Sequence, residues 1–96
     1  MKAQELYQQG VDRGRRGLYK EAIADYNQAI NLNPDFAEAY VSRAIVRYLT
    51  EDKQGGVEDL QKAIAIYKAR DKSEIADMLL GRLQEFQQDI QMGEEL

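Results

Sequence analysis

Two arginines and two aspartates stand in matching register: Arg13 with Asp25, then Arg47 with Asp59, 34 residues further on. A guanidinium facing a carboxylate on a neighbouring helix makes charge-assisted hydrogen bonds, and when partly buried these fix register more surely than they add stability. Arg43 lies one turn before Arg47. The spacing therefore predicts inter-helix ion pairs, Arg13 or Arg43 with Asp25 and Arg47 with Asp59. The competing chemistry is anion binding by Arg13, Arg15, Arg16 and Lys20, which cluster at the first turn. Catalysis has less to work with. The chain has no histidine and no cysteine, so a general acid or base would be a carboxylate or a lysine. Asp12 with Asp25 and Glu58 with Asp59 are the best carboxylate pairs, and nothing orients them toward a nucleophile. Ser42, Ser73 and Thr50 carry the only hydroxyls besides the tyrosines, and no base lies at an activating helical offset. Glu51, Asp52, Glu58 and Asp59 lack the alternating oxygen ligands and fixed glycine of a calcium loop. No catalytic residue, no metal site and no cofactor is expected.

The elements that must position these side chains read as helices. In Gly17 to Pro34, the residues Ala22, Ile23, Tyr26, Ala29 and Ile30 form one helical stripe. Gly17 supplies the turn before it, and Asn33-Pro34 ends it, because a residue before proline resists the helical region. Before it, Ala3, Leu6, Tyr7, Gly10, Val11 and Gly14 mark a helix over about Lys2 to Arg15. Glycine on such a stripe costs helix propensity and permits close approach of a neighbour. The helix that follows Gly17 spans about Tyr19 to Asn31, and two more are expected over about Phe36 to Thr50 and Gln54 to Ala69. A fifth, about Lys72 to Met92, carries Ile75, Leu79, Leu83, Phe86 and Ile90 on one stripe. Asp35 with Glu38 and Asp71 with Glu74 are candidate capping boxes. Gly93 is expected to stop the last helix, with Glu94, Glu95 and Leu96 fraying.

A shift of 34 residues lays the second pair of helices on the first without a gap. Gly10 falls on Ala44, Ile23 on Val57, Tyr26 on Leu60, Ala29 on Ala63 and Ile30 on Ile64. Small residues stay small and large apolar residues stay large. The run GLYKEAIADYNQAINLNP resembles the second helix of a tetratricopeptide repeat, with its small residue at Ala22, aromatic at Tyr26, alanine at Ala29 and closing Pro34. Gly10 and Ala44 fit the family's small position in the first helix. The second copy departs from the pattern with Gly56 in place of Ala22 and Lys68 in place of Pro34. Leu6 and Tyr40 stand where the family has tryptophan. The lost proline predicts a longer fourth helix with no ordinary third repeat after it. The fold expected is all-α: repeat one over 3–34, repeat two over 35–68, stacked in a short right-handed solenoid, and a capping helix over 72–92 that keeps the last repeat's apolar side dry.

In the resembled family the first helix of each repeat lines a concave groove. The resemblance places Gln4, Tyr7, Gln8, Val11 and Arg15 there from repeat one. Repeat two contributes Glu38, Val41, Ser42, Ile45, Tyr48 and Leu49. This is an aromatic and aliphatic surface with amide edges, and tyrosine, of which the chain has six, is a frequent interface anchor. The expected function is protein-protein interaction, with a peptide or partner helix held in the groove. One subgroup of the family grips a C-terminal carboxylate with lysines and asparagines. Tyr7, Gln8, Val11, Ser42 and Ile45 occupy those places here, so that clamp is not expected. The alternative is packing of this surface against the capping helix, or self-association through the groove or cap into a homo-oligomer. Two repeats are fewer than usually stand alone, which favours a strong cap or a partner copy.

With a net charge of −4 and a pI of about 4.8, the 96-residue chain lacks the basic stripe a nucleic-acid binder needs. No apolar run approaches the roughly 20 residues of a membrane span. The first residues, MKAQELYQQG, contain no hydrophobic signal core, so a cytoplasmic location is the default expectation.

Overall fold

The alternation of apolar stripes and turn residues produces helices, and no strand occurs among the described residues. The computed structural model describes residues 1–95. Its helices are α1 (Ala3–Arg15), α2 (Tyr19–Leu32), α3 (Ala37–Leu49), α4 (Lys53–Ala69) and α5 (Ser73–Glu95). α1 pairs with α2 and α3 with α4; α2 also meets α3, and α5 closes on α4. The architecture is an all-α solenoid of two helix pairs with a fifth helix at its end.

The packing follows the sequence repeat. Ala22, Ala29, Ala37, Ala39, Ala44, Leu60 and Ala63 have no exposed surface. Leu6, Ala29, Phe36, Tyr40, Ala63 and Ile66 belong to one cluster fed by the first four helices. Ala44, Val57, Leu60, Ala76, Leu83 and Phe86 form another, shared by α3, α4 and α5. Gly10 lets α2 approach, because a Cβ there would lie 2.6 Å from a Tyr26 ring carbon. At Gly56 a Cβ would lie 2.9 Å from the Ala44 carbonyl oxygen. The small site that Ala22 fills in repeat one is thus tighter in repeat two.

Three turns use one device. Gly17, Glu51 and Asp71 adopt left-handed backbone with φ of 78°, 70° and 57°. In each case the next N–H returns to a carbonyl in the last helical turn: Leu18 to Arg13, Asp52 to Arg47 and Lys72 to Tyr67, all at 2.9 Å. This is the Schellman arrangement, which satisfies carbonyls a helix end would leave free. Gly17 and Glu51 are related by the same 34-residue shift as the core.

The caps differ from the sequence expectation. Asp71 is committed to the left-handed turn, and α5 starts at Ser73, so the Asp71–Glu74 capping box does not form. Phe36 occupies the N-cap of α3 without a side-chain bond. Asp35 sits one residue too early, its N–H donating to Asn33 Oδ1 at 3.3 Å, and the Asp35–Glu38 box is absent as well. Instead Asp52 caps α4, accepting from the Gly55 N–H at 3.0 Å. α4 has 17 residues against 14 in α2, the extension expected where Lys68 replaces proline. α5 runs through Gly93 to Glu95, so that glycine does not stop it; glycine inside a helix costs only about 1 kcal/mol. Leu96, expected to fray, lies outside the described residues.

Candidate binding trough

Two ion-pair centres set how the helices face one another. In repeat one, Arg13 Nη1 lies 3.1 Å from both oxygens of Asp25, and Gln9 Nε2 donates to Asp25 Oδ1 at 3.1 Å. In repeat two, Arg43 forks Asp59 through Nε and Nη2 at 2.9 and 2.8 Å, and Arg47 Nη1 adds a bond of 3.0 Å. Gln9 and Arg43 are repeat-equivalent, as are Arg13 and Arg47. Arg43 thus belongs to Asp59, not to Asp25, and its Nη1 also donates to Asn27 Oδ1 of α2 at 2.7 Å. These bonds tie α1 to α2, α3 to α4 and α2 to α3. The proposed anion cluster is dispersed by them: Arg13 is held by Asp25, and Arg16 pairs with Asp12 at 3.4 Å.

With register fixed, α1 and α3 lie side by side and leave a trough. Its first cleft, about 250 Å³, is walled by Tyr7, Val41 and Leu79, with Glu38, Tyr67 and Ile75 around them. The second, about 300 Å³, lies between Val11 and Arg15 of α1 and Ile45 and Leu49 of α3, with Tyr19 and Tyr26 behind. Ser42 lines both. The Tyr7 ring packs on Tyr26 at 6.0 Å and on Phe36 at 5.0 Å, so an aromatic row joins the clefts to the core.

Two phenols that line the clefts, Tyr67 and Tyr26, stay protonated at neutral pH. Burial pushes Tyr67 up to about 12, helped by the hydrogen bond its hydroxyl donates to Glu38 Oε1 at 3.0 Å and by that carboxylate's charge. Tyr26 is raised chiefly by burial, against the opposing pull of the Ser42 hydroxyl and the Arg15 charge. The trough therefore offers apolar walls, hydroxyls, one carboxylate and one guanidinium. Among the described residues, no group of acids is arranged to hold a metal ion, and no helix is long and apolar enough to cross a membrane. A hollow of about 370 Å³ beside Met1, Gln28 and Leu32 lies elsewhere and has no charged side chain in its lining.

Most of the residues expected in the groove line these clefts: Tyr7, Glu38, Val41 and Ser42 the first, Val11, Arg15, Ser42, Ile45 and Leu49 the second. Gln4 and Gln8 are exposed on α1 and line neither. Tyr48 faces the capping helix. Its ring stacks on Phe86 at 3.9 Å and 17°, and its hydroxyl donates to Asp89. Lys53 sits 5.4 Å from that ring and 3.5 Å from Asp89. Ile75 and Leu79 of α5 also wall the first cleft, in line with the alternative that the groove surface packs against the capping helix, although the sequence named neither residue there. Tyr19 at the start of α2 and Tyr67 near the end of α4 also line the clefts, Tyr19 the second and Tyr67 the first, and the sequence did not place them there.

Paired helices, repeated in register and with their first members flanking a trough, define a helical-repeat protein. The chain belongs to the tetratricopeptide-repeat family. A family model described as TPR repeat matches residues 15–50. Tetratricopeptide repeat protein 36 of Mus musculus is 40% identical over 72 residues, covering 75% of this chain and 38% of that protein. Its counterpart in Danio rerio is 38% identical over 69 residues, 72% of this chain and 37% of that protein. The Homo sapiens protein is 39% identical over 87 residues, 86% of this chain and 45% of its own length. The chain thus spans less than half the length of these relatives. Repeats of this family generally mediate contacts between proteins.

Proposed function

We propose that this chain is a non-enzymatic protein-interaction module of the cytoplasm that holds a peptide or partner helix in the trough between α1 and α3. The observation that carries this reading is a pair of apolar clefts that share Ser42, with Val41 half-buried and Ile45 and Leu49 exposed along α3. Ile45 is 42% and Leu49 58% exposed, although both lie on the face that packing would otherwise cover. An interface needs an apolar centre with hydroxyls and charges at its edge, and the trough has that arrangement. The test is peptide display on the immobilised protein, with selected peptides re-measured against Val41→Glu and Ile45→Glu. Loss of binding by tenfold or more in both supports the trough, on the scale of removing an interface anchor. Peptides that bind both variants as tightly as the parent place the site elsewhere.

A second reading is self-association. Met78 is 75% exposed on α5, and a Cβ at Gly81 would meet nothing within 4 Å, so the side of the capping helix away from the trough is open to a partner copy. Sedimentation at micromolar concentration decides it: a strict monomer ends this reading.

A further inference from the structure

We propose that the trough selects a segment whose two ends carry opposite charge: a basic side chain toward Glu38, an acidic one toward Arg15, and apolar side chains between. This rests on the peptide-binding reading above and names the chemistry of its ligand. Of all the residues lining the two clefts, only Arg15 and Glu38 are charged. They stand at opposite ends. Glu38 opens α3, while Arg15 ends α1 and is repeat-equivalent to Leu49, the last residue of α3. The other arginines nearby are spent: Arg13 on Asp25, Arg43 and Arg47 on Asp59, Arg16 on Asp12. Arg70 lines a different hollow and donates to the Asp35 carbonyl at 2.6 Å. Arg15 enters none of the ion pairs among the described residues. Glu38 accepts one bond from Tyr67 and remains exposed, with a second oxygen able to take a cation.

The separation sets the ligand's length. From Glu38 to the level of Leu49 is 11 residues of helix, roughly 16 Å at 1.5 Å per residue. An extended chain covers that in about five steps, and the next even number, six, puts both end side chains and two alternate ones between them on the face toward the trough. Two apolar side chains on that face meet the two clefts. Complementary charge at the rim steers and orders a ligand more than it tightens it, so the apolar pair carries affinity and the ends carry choice.

The test uses the whole chain and four end-blocked, fluorescently labelled peptides. The first is Lys-Ser-Leu-Ser-Leu-Ser-Asp. Its companions carry Lys at both ends, Asp at both ends, or Ser at both ends. Fluorescence anisotropy at low salt should rank the bipolar peptide first, by about threefold to fivefold over either peptide with like charges, as expected for exposed pairs. Arg15→Glu should move the preference to the double-Lys peptide, and Glu38→Lys to the double-Asp peptide, with circular dichroism showing both variants folded. Equal binding of all four peptides, or a ranking that neither reversal changes, overturns the inference. If the four bind alike and Val41→Glu removes them all, the trough remains a peptide site and only its charge selection falls. No binding by the bipolar peptide also overturns the inference, while the display experiment judges the trough itself.

Discussion

Asp25 and Asp59 are buried alike, each with a side chain 5% exposed, but they keep different company. Asp59 receives two guanidiniums whose exposures are 14% and 25%. Asp25 receives the more exposed Arg13, at 38%, and an uncharged amide from Gln9. Removing Asp59 strands two half-buried cations side by side, whereas removing Asp25 leaves one that can turn to water. Asp59→Ala should therefore cost about 3 kcal/mol and Asp25→Ala about 1 kcal/mol, both read from urea unfolding. Two equal losses would show that Arg43 adds nothing to its centre. The pairs Arg13–Asp25 and Arg47–Asp59 were legible in the sequence because both partners recur at the repeat period. The Arg43–Asp59 bond was not assigned, because Gln9 at the equivalent place is uncharged and gave no periodic signal. Tyr67 adds a pH prediction. Its folded value of about 12 lies above the ordinary value of 10.0, so its hydroxyl contributes stability that is full below pH 10 and lost as pH rises through 12. Tyr67→Phe should lower stability at neutral pH and flatten that alkaline decline relative to the parent.

At the scale of elements, the helix ends show where a sequence signature underdetermines structure. A carboxylate three residues before a second one suits a capping box wherever the backbone places it at N-cap, but the preceding turn decides that placement. Asp71 is taken by the left-handed position of the α4 Schellman turn, and Phe36 takes the cap of α3 after the Pro34 turn. Asp52 holds the cap of α4 because the equivalent turn at Glu51 ends one residue before it. Glu51 itself is a side chain in a region that favours glycine, at the place where repeat one has Gly17. Glu51→Gly should stabilise the chain by about 0.5–1 kcal/mol, visible as a raised melting temperature. A lower melting temperature would mean that the flexibility glycine adds to the unfolded chain outweighs the relieved strain. The helix-interior glycines split the other way. Gly10→Ala drives a methyl into the Tyr26 ring and should destabilise by about 1–3 kcal/mol. At Gly14 the nearest atoms stand 3.9 Å from a built Cβ, so Gly14→Ala should gain about 0.5–1 kcal/mol of helix propensity. The stripe placed both glycines on one face; only the packing distances tell them apart.

For the whole molecule, the question is why two helix pairs hold together when solenoids usually need more. The three apolar clusters answer it, because none stays within a repeat: Ala22 and Tyr26 of α2 pack with Val46 of α3 in the smallest. Leu6 of α1 and Ile66 of α4 belong to another, and Ala44 of α3 and Phe86 of α5 to the third. α5 therefore stands in for a further repeat, its Leu83 and Phe86 buried at 6% and 7% against α3 and α4. The repeat and its cap were readable as apolar periods, and contact between groove and cap stood as one alternative; that α5 walls only the first cleft, through Ile75 and Leu79, was not, because a helix stripe reports burial and not which neighbour receives it. Since the clusters share α3, unfolding should be a single transition. Phe86→Ala removes the ring that stacks on Tyr48 and should cost about 3 kcal/mol. If the chain is one cooperative unit, far-ultraviolet circular dichroism and tyrosine fluorescence will shift together to the same lower urea midpoint in this variant, with the slope of the transition preserved. If α5 is an appendage, the helical signal will fall first and by the share of one helix. The remaining helices would then melt at the parent's midpoint, and the trough would lose the wall formed by Ile75 and Leu79 before it lost its fold.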